Sequence, residues 1–145
     1  MEKKRILMID DEVPFTNLVK MNLERTGRYE VRVENHPLQA VAAALEFKPA
    51  AILLDVVMPQ MDGGQLLAEF QTKGQLKNTP VILLTATVTQ QVAKALQGQV
   101  GCRTIVPKPV DAKRLIQLLD EMLEMPFFSF RFGRSASADE VPPPA

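Results

Sequence analysis

Two apolar runs in this chain end in acids that packing does not need. Ile6-Leu-Met-Ile9 gives way to Asp10-Asp11-Glu12, and Ala51-Ile-Leu-Leu54 ends on Asp55. A third run, Val81-Ile-Leu-Leu84, is followed by Thr85, and a weaker one, Arg103 to Val106, by Pro107-Lys108-Pro109. If these runs are parallel strands of one sheet, then Asp10, Asp11, Asp55, Thr85 and Lys108 emerge at the same sheet edge, where open α/β sheets bind their ligands. Three carboxylates crowded together repel one another unless a cation neutralises them. Mg2+ suits such a set, because it takes a few carboxylate oxygens and keeps exchangeable waters. Lys108 adds a positive point charge for a phosphoryl group and Thr85 a hydroxyl donor. Asp55, last on a central strand, is left as nucleophile.

The elements that must position these residues alternate strictly. Ile6 to Ile9 leads through Pro14, at home in a first helical turn, into a helix on which Phe15, Leu18, Val19 and Leu23 recur at helical spacing, with Gly27 as terminator. Tyr29 to Val33 alternates like a short strand. Asn35-His36-Pro37 reads as a capped start for the Ala-rich helix Leu38 to Phe47, which Lys48-Pro49 ends. After Asp55, Met58-Pro59 stops the strand, Asp62-Gly63-Gly64 supplies a turn and a helix cap, and Gln65 to Phe70 gives a third helix. Thr79-Pro80 opens the next strand, Thr89 to Gln97 predicts a fourth helix, and Asp111 caps a fifth carrying Leu115, Ile116, Leu118, Leu119, Met122 and Leu123.

Five strand-then-helix units with short connections require right-handed crossovers and a parallel sheet covered on both faces. The predicted architecture is α/β, a (βα)5 flavodoxin-like doubly wound sheet with strand order 2-1-3-4-5. That domain spans residues 1–125. Residues 126–145 form a tail, aromatic at first and then small, polar and Pro-rich, with its last part expected to be disordered.

Composition narrows the function. At 145 residues the chain suits one domain, and a formal net charge of zero argues against a broad electrostatic footprint for nucleic acid or a membrane surface. No apolar run approaches the length of a membrane span. Cys102, the sole cysteine, excludes an internal disulfide and reads as a small buried residue in a reduced, cytoplasmic setting.

Taken in order and in their strand-end contexts, Asp10-Asp11, Asp55, Thr85 and Lys108-Pro109 resemble the site of receiver domains in the two-component response-regulator family, close in size to its chemotaxis-type, single-domain members. The match covers residues 5–124. It implies a phosphoacceptor signalling switch of a phosphorelay, phosphorylated on Asp55 by a sensor histidine kinase, a phosphotransfer protein or a small acyl or amido phosphate donor, with Mg2+ bound. It further implies metal held by Asp11, Asp55 and the Val57 backbone carbonyl, with Asp10 acting through water. Thr85 would move toward the new phosphoryl group, Lys108 would pair with it, and the Lys108–Pro109 peptide would be cis. The reader surface would be the helix over 89–97, the strand over 103–106 and the helix after Asp111. Such a chain is not a metabolic enzyme but a phosphoacceptor with incidental Mg2+-dependent self-phosphorylation. With too few residues after the last helix for a DNA-binding domain, output falls to an unknown downstream protein.

Some positions depart from the family pattern. The family commonly has an aromatic residue, coupled to the switch hydroxyl, three positions before the lysine; here Ile105 stands there, which predicts weaker or differently built coupling between Asp55 and the fourth helix. Pro107 removes a backbone donor beside Lys108. Val57 and Thr87 occupy positions that in the family influence water access to the acyl phosphate, and an apolar Val57 predicts slow self-dephosphorylation. Phe127, Phe128, Phe130 and Phe132 read as a fold-back or homodimer segment, with partner docking and a linker as alternatives. Asp62 reads as a helix cap, His36 as a helix-start residue, and Glu12 as a solvated acid or one favouring the first helix N-terminus.

Two other functions compete. One is a phosphorylation-independent interaction scaffold that keeps the receiver fold. The other is an aspartate-nucleophile phosphatase, whose nucleophile lies on the first strand in an Asp-x-Asp pattern; here Asp10-Asp11-Glu12 is Asp-x-Glu, and no inserted substrate cap follows.

Overall fold

Strands whose residues are buried on both faces must be covered by helices on both faces, and three strands here have that character. The computed structural model describes residues 2–59, 61–86 and 102–123. Along the chain come β1 (Lys4–Ile9), α1 (Val13–Arg25), β2 (Tyr29–Glu34), a 3-10 turn (Pro37–Gln39), α2 (Ala40–Phe47), β3 (Ala51–Asp55), α3 (Gly63–Gln71), β4 (Val81–Thr85), β5 (Cys102–Pro107) and α4 (Ala112–Met122). The five strands pair in parallel in the order β2-β1-β3-β4-β5, as the alternation predicts. Two-residue strands Val57–Met58 and Met61–Asp62 form a separate antiparallel pair before α3.

β3 and β4 are buried throughout, and β1 from Ile6 onward. Leu7, Ile9, Ile52, Leu54 and Leu83 share one core with Ala40, Ala43 and Ala44 of α2 and Leu66, Leu67 and Phe70 of α3. Side chains alternate along a strand, so Ile6, Met8, Leu53 and Ile82 face the other way, and they too are buried. α1 buries Thr16, Val19 and Leu23, while Leu18, which the helical spacing assigned to the apolar face, is half exposed. β2 is an edge strand, and α1 closes part of that edge: Lys20 Nζ donates to the Val31 carbonyl and the Val31 N–H donates to Glu24 Oε2, both at 3.0 Å.

The expected start of the second helix needs correction. Asn35 and His36 cap nothing by side chain; a 3-10 turn intervenes and α2 begins at Ala40. Gly27, after α1, has φ +77°, a conformation that L side chains rarely adopt. The Lys108–Pro109 peptide is cis, as the resemblance implied.

The chain divides after Ala112. Beyond it α4 continues to Met122, with Leu115 and Leu119 buried four residues apart. Among the described residues no helix is long and apolar enough to cross a membrane. The helix predicted over 89–97, Thr87, the side chain of Cys102, the boundary at 125 and the aromatic tail lie outside the described residues.

Candidate functional site

Parallel strands bring their carboxyl ends to one edge, and register decides how closely. Asp55 is paired with Leu84, one residue before Thr85, and Thr85 is paired with Pro107, one residue before Lys108. Ile9, just before Asp10, is paired with Leu54, just before Asp55. The five residues singled out from sequence therefore leave adjacent strands at nearly the same level.

Three of them form a tight acid group. One carboxylate oxygen from each of Asp10, Asp11 and Asp55 lies within 4.8 Å of the others. Asp10 and Asp55 are buried and Asp11 is half-buried. Asp10 Oδ1 accepts the Glu12 N–H at 2.9 Å, and Asp55 Oδ1 accepts the Val57 N–H at 3.1 Å. Lys108 closes the group: its Nζ donates to Asp10 Oδ2 and Glu12 Oε1 at 2.8 Å and reaches Asp55 Oδ2 at 3.4 Å. The same ammonium lies 4.6 Å from the centroid of the Phe15 ring.

Electrostatics follows from burial and from this sharing of one cation. Burial pushes the Asp55 carboxyl up to about 6. The Val57 N–H and Lys108 pull against that shift, while the Asp10 charge adds to it. Burial alone would lower Lys108, but its hydrogen bonds to Asp10 and Glu12 and the charges of Asp55 and Asp10 outweigh burial and raise it. Three carboxylates of the triad against one ammonium leave a negative pocket of hard oxygen donors, a composition that fits a divalent cation such as Mg2+.

Thr85 is fully buried at the end of β4, and its carbonyl accepts the Lys108 N–H at 2.8 Å. Pro107 thus costs the strand exit no donor at this position, because Lys108 supplies it. Ile105 is partly buried against the α2–α3 core, and Val57 exposes 62% of its surface beside Asp55.

From sequence, Phe15 and Asn35 belong to a helix stripe and a helix start, and neither their place beside the site nor the ion pair of Glu12 was foreseen. Asn35 Nδ2 donates to the Asp10 carbonyl at 2.7 Å and to Thr16 Oγ1 at 3.1 Å, which ties the β2 exit to the β1 exit. Its place directly after an edge strand beside β1 was the available signal. Glu12 is an ion-pair partner of Lys108 rather than a merely solvated acid.

A parallel sheet that gathers three aspartates and a lysine at its carboxyl edge defines an α/β protein with an aspartate-centred site. Residues 6–120 match the response regulator receiver domain, and the chain belongs to that family. It is 31% identical over 119 residues to protein PilH of Pseudomonas aeruginosa, covering 82% of this chain and 97% of that protein. To the DNA-binding dual master transcriptional regulator RpaA of Synechocystis sp. it is 30% identical over 120 residues, 82% of this chain but 48% of that one. The chain thus spans about half the length of RpaA and nearly all of PilH.

Among solved structures, the chemotaxis protein CheY4 of Vibrio cholerae superposes with a TM-score of 0.76 at 26% identity, over 83% of this chain and 98% of that one. The receiver domain of the sensor histidine kinase PA1611 from Pseudomonas aeruginosa, which has a magnesium ion coordinated in its active-site cleft, gives a TM-score of 0.71 at 26% identity, over 85% and 99%. The chain is a receiver domain of two-component signalling, a family of generally non-enzymatic phosphoacceptor switches.

Proposed function

We propose that this receiver domain takes a phosphoryl group on Asp55 from a histidine kinase or phosphotransfer protein in the cytoplasm and signals through contacts with a downstream protein. Asp55 itself carries the reading. It is a buried carboxylate ending a central strand, bonded to the Val57 N–H, facing the Lys108 ammonium, with Asp10 and Asp11 alongside.

In the step, one carboxylate oxygen of Asp55 attacks the phosphorus of a phosphohistidine or an acyl phosphate. The bond from phosphorus to the donor's nitrogen or oxygen breaks, and the donor leaves with that electron pair. The product is an acyl phosphate on Asp55. Such transfer asks the protein for positioning and charge neutralisation rather than covalent help. Lys108 supplies a positive charge 3.4 Å from Asp55, and the Val57 N–H orients the carboxylate. Mg2+, held by Asp11, Asp55 and the Val57 carbonyl, with Asp10 through water, would supply the rest of the neutralisation. Thr85 is the proposed reporter of phosphorylation; its carbonyl bond to the Lys108 N–H links the two strand exits on which the readout depends. Receiver residues 1–125 would then be followed by the tail over 126–145, with self-dephosphorylation slow because Val57 is apolar.

The test is labelling of wild type and Asp55→Asn by acetyl phosphate, followed by intact-mass spectrometry with and without Mg2+, alongside a panel of histidine kinases. Label in the wild type that needs Mg2+ and is absent from Asp55→Asn is expected. Label retained in Asp55→Asn, or turnover of free phosphate esters, would overturn the reading; no label from any donor would favour the scaffold.

A further inference from the structure

Glu12 stands at the N-cap position of α1, where its side chain makes no capping hydrogen bond to the first turn. Its carboxylate is turned to Lys108 instead, at 2.8 Å, as short as the Lys108–Asp10 contact and shorter than the 3.4 Å to Asp55. The backbone of Glu12 is held independently of that pair. Its N–H donates to Asp10 Oδ1 at 2.9 Å and its carbonyl accepts the Thr16 N–H at 3.0 Å.

An ammonium has three donors, and Asp10, Glu12 and Asp55 draw on all of them, Asp55 most weakly. A phosphoryl group on Asp55 brings further acceptors, and for Lys108 to give it more than the one donor already turned to Asp55, its bond to Asp10 or to Glu12 must loosen. Releasing Asp10 would strand a carboxylate that is fully buried, at high cost. Glu12, 60% exposed, passes into water at little cost and is the partner that yields.

We propose that Glu12 is a positioning residue, a releasable anchor that holds the Lys108 ammonium back from Asp55 in the resting protein and so sets how readily Asp55 is phosphorylated. The inference rests on reading Asp55 as the phosphoacceptor and adds to it a residue acting through Lys108.

The test uses the full chain and Glu12→Gln, which keeps the side-chain shape and removes the charge. First, crystal structures of the two proteins are compared. Lys108 Nζ leaves residue 12 and closes on Asp55 from 3.4 Å to about 2.8 Å; an unchanged distance overturns the proposal whatever the protein does with phosphoryl donors. Second, acetyl phosphate labelling of Asp55 is timed over a series of ionic strengths. Glu12→Gln labels about two- to fivefold faster at low salt, the scale of one partly exposed ion pair. The ratio falls toward one as salt screens that pair in the wild type. A purely structural role would give a ratio independent of salt. A ratio of one throughout, or slower labelling by the variant, overturns the proposal. If neither protein labels with any donor, it is the phosphoacceptor reading that fails, and the Lys108–Asp55 distance in Glu12→Gln alone decides the positioning role.

Discussion

The backbone N–H of Lys108 donates to the carbonyl of Thr85 at 2.8 Å, so the residue that offers charge to Asp55 and the residue proposed to report on it share one strand-end bond. That bond belongs to the backbone and survives substitution of either side chain. Thr85→Ala should therefore leave labelling of Asp55 by acetyl phosphate within about twofold of wild type. It should cost about 1 kcal/mol of stability, since a buried hydroxyl and its packing are lost. Labelling kinetics and urea unfolding check the two halves; a large drop in labelling would give the hydroxyl a part in transfer.

Asp55 should make stability depend on pH in the metal-free protein. Its folded pKa, about 6, lies above the ordinary 3.8, so between those values the folded chain holds a proton that the unfolded chain has released. Its contribution to stability then falls as pH rises from about 4 to about 6 and stays low above that. Asp55→Asn removes the cost and should be more stable than wild type at pH 7 by about 1–3 kcal/mol, with the difference gone near pH 4. Saturating Mg2+ should shrink the gap by stabilising the wild type. Urea denaturation from pH 4 to 8 measures this; equal stabilities at pH 7 without metal would contradict it.

Lys108 neutralises a carboxylate that has no exposure to water, Asp10. Lys108→Met should destabilise the protein by about 2–4 kcal/mol at pH 7, because the loss leaves buried negative charge without its cation. Mg2+ should then raise the melting temperature of the variant more than that of the wild type. Thermal unfolding with and without Mg2+ decides it, and an unaltered melting temperature would mean that the ion pairs contribute nothing net.

Val57 lies exposed beside Asp55 and offers no group that could orient an attacking water. The phosphorylated protein should accordingly lose its label over minutes or longer, and Val57→Asn or Val57→Glu should speed that loss about tenfold or more. A chase after removal of donor reads both; decay of the wild type within seconds counts against the assignment.

Ile105 packs partly buried against the α2–α3 core, without the aromatic ring that the family commonly places there. Beryllofluoride should perturb amide resonances near Asp55, Thr85 and Lys108 and fade quickly beyond them, whereas Ile105→Tyr should spread the shifts. Large shifts over residues 89–97 in the wild type would show strong coupling by another route.

Much of this protein's architecture is legible in its sequence. Apolar runs too short for helices, each ending in a polar residue and each followed by a helical stripe, were enough to order five strands and to bring Asp10, Asp11, Asp55, Thr85 and Lys108 to one edge, because parallel topology leaves little choice about where strand ends meet. Periodicity was less exact about faces. Leu18 and Thr16 flank the same stripe of α1, and packing buried the threonine and exposed the leucine.

Partner choice was beyond local reasoning altogether. Asn35 reaches back 25 residues to Asp10 instead of capping a helix, and Lys108 bonds Asp10 and Glu12 across 98 and 96 residues. Local propensities and alternation decide what kind of element a segment becomes, since they depend on neighbours in the chain. Which of several equivalent carboxylates holds one ammonium depends on differences of a few tenths of an ångström that arise only when strands distant in sequence pack side by side. Asp55 was evident from its strand, whereas the anchoring of Lys108 by Glu12 became visible only in the folded chain.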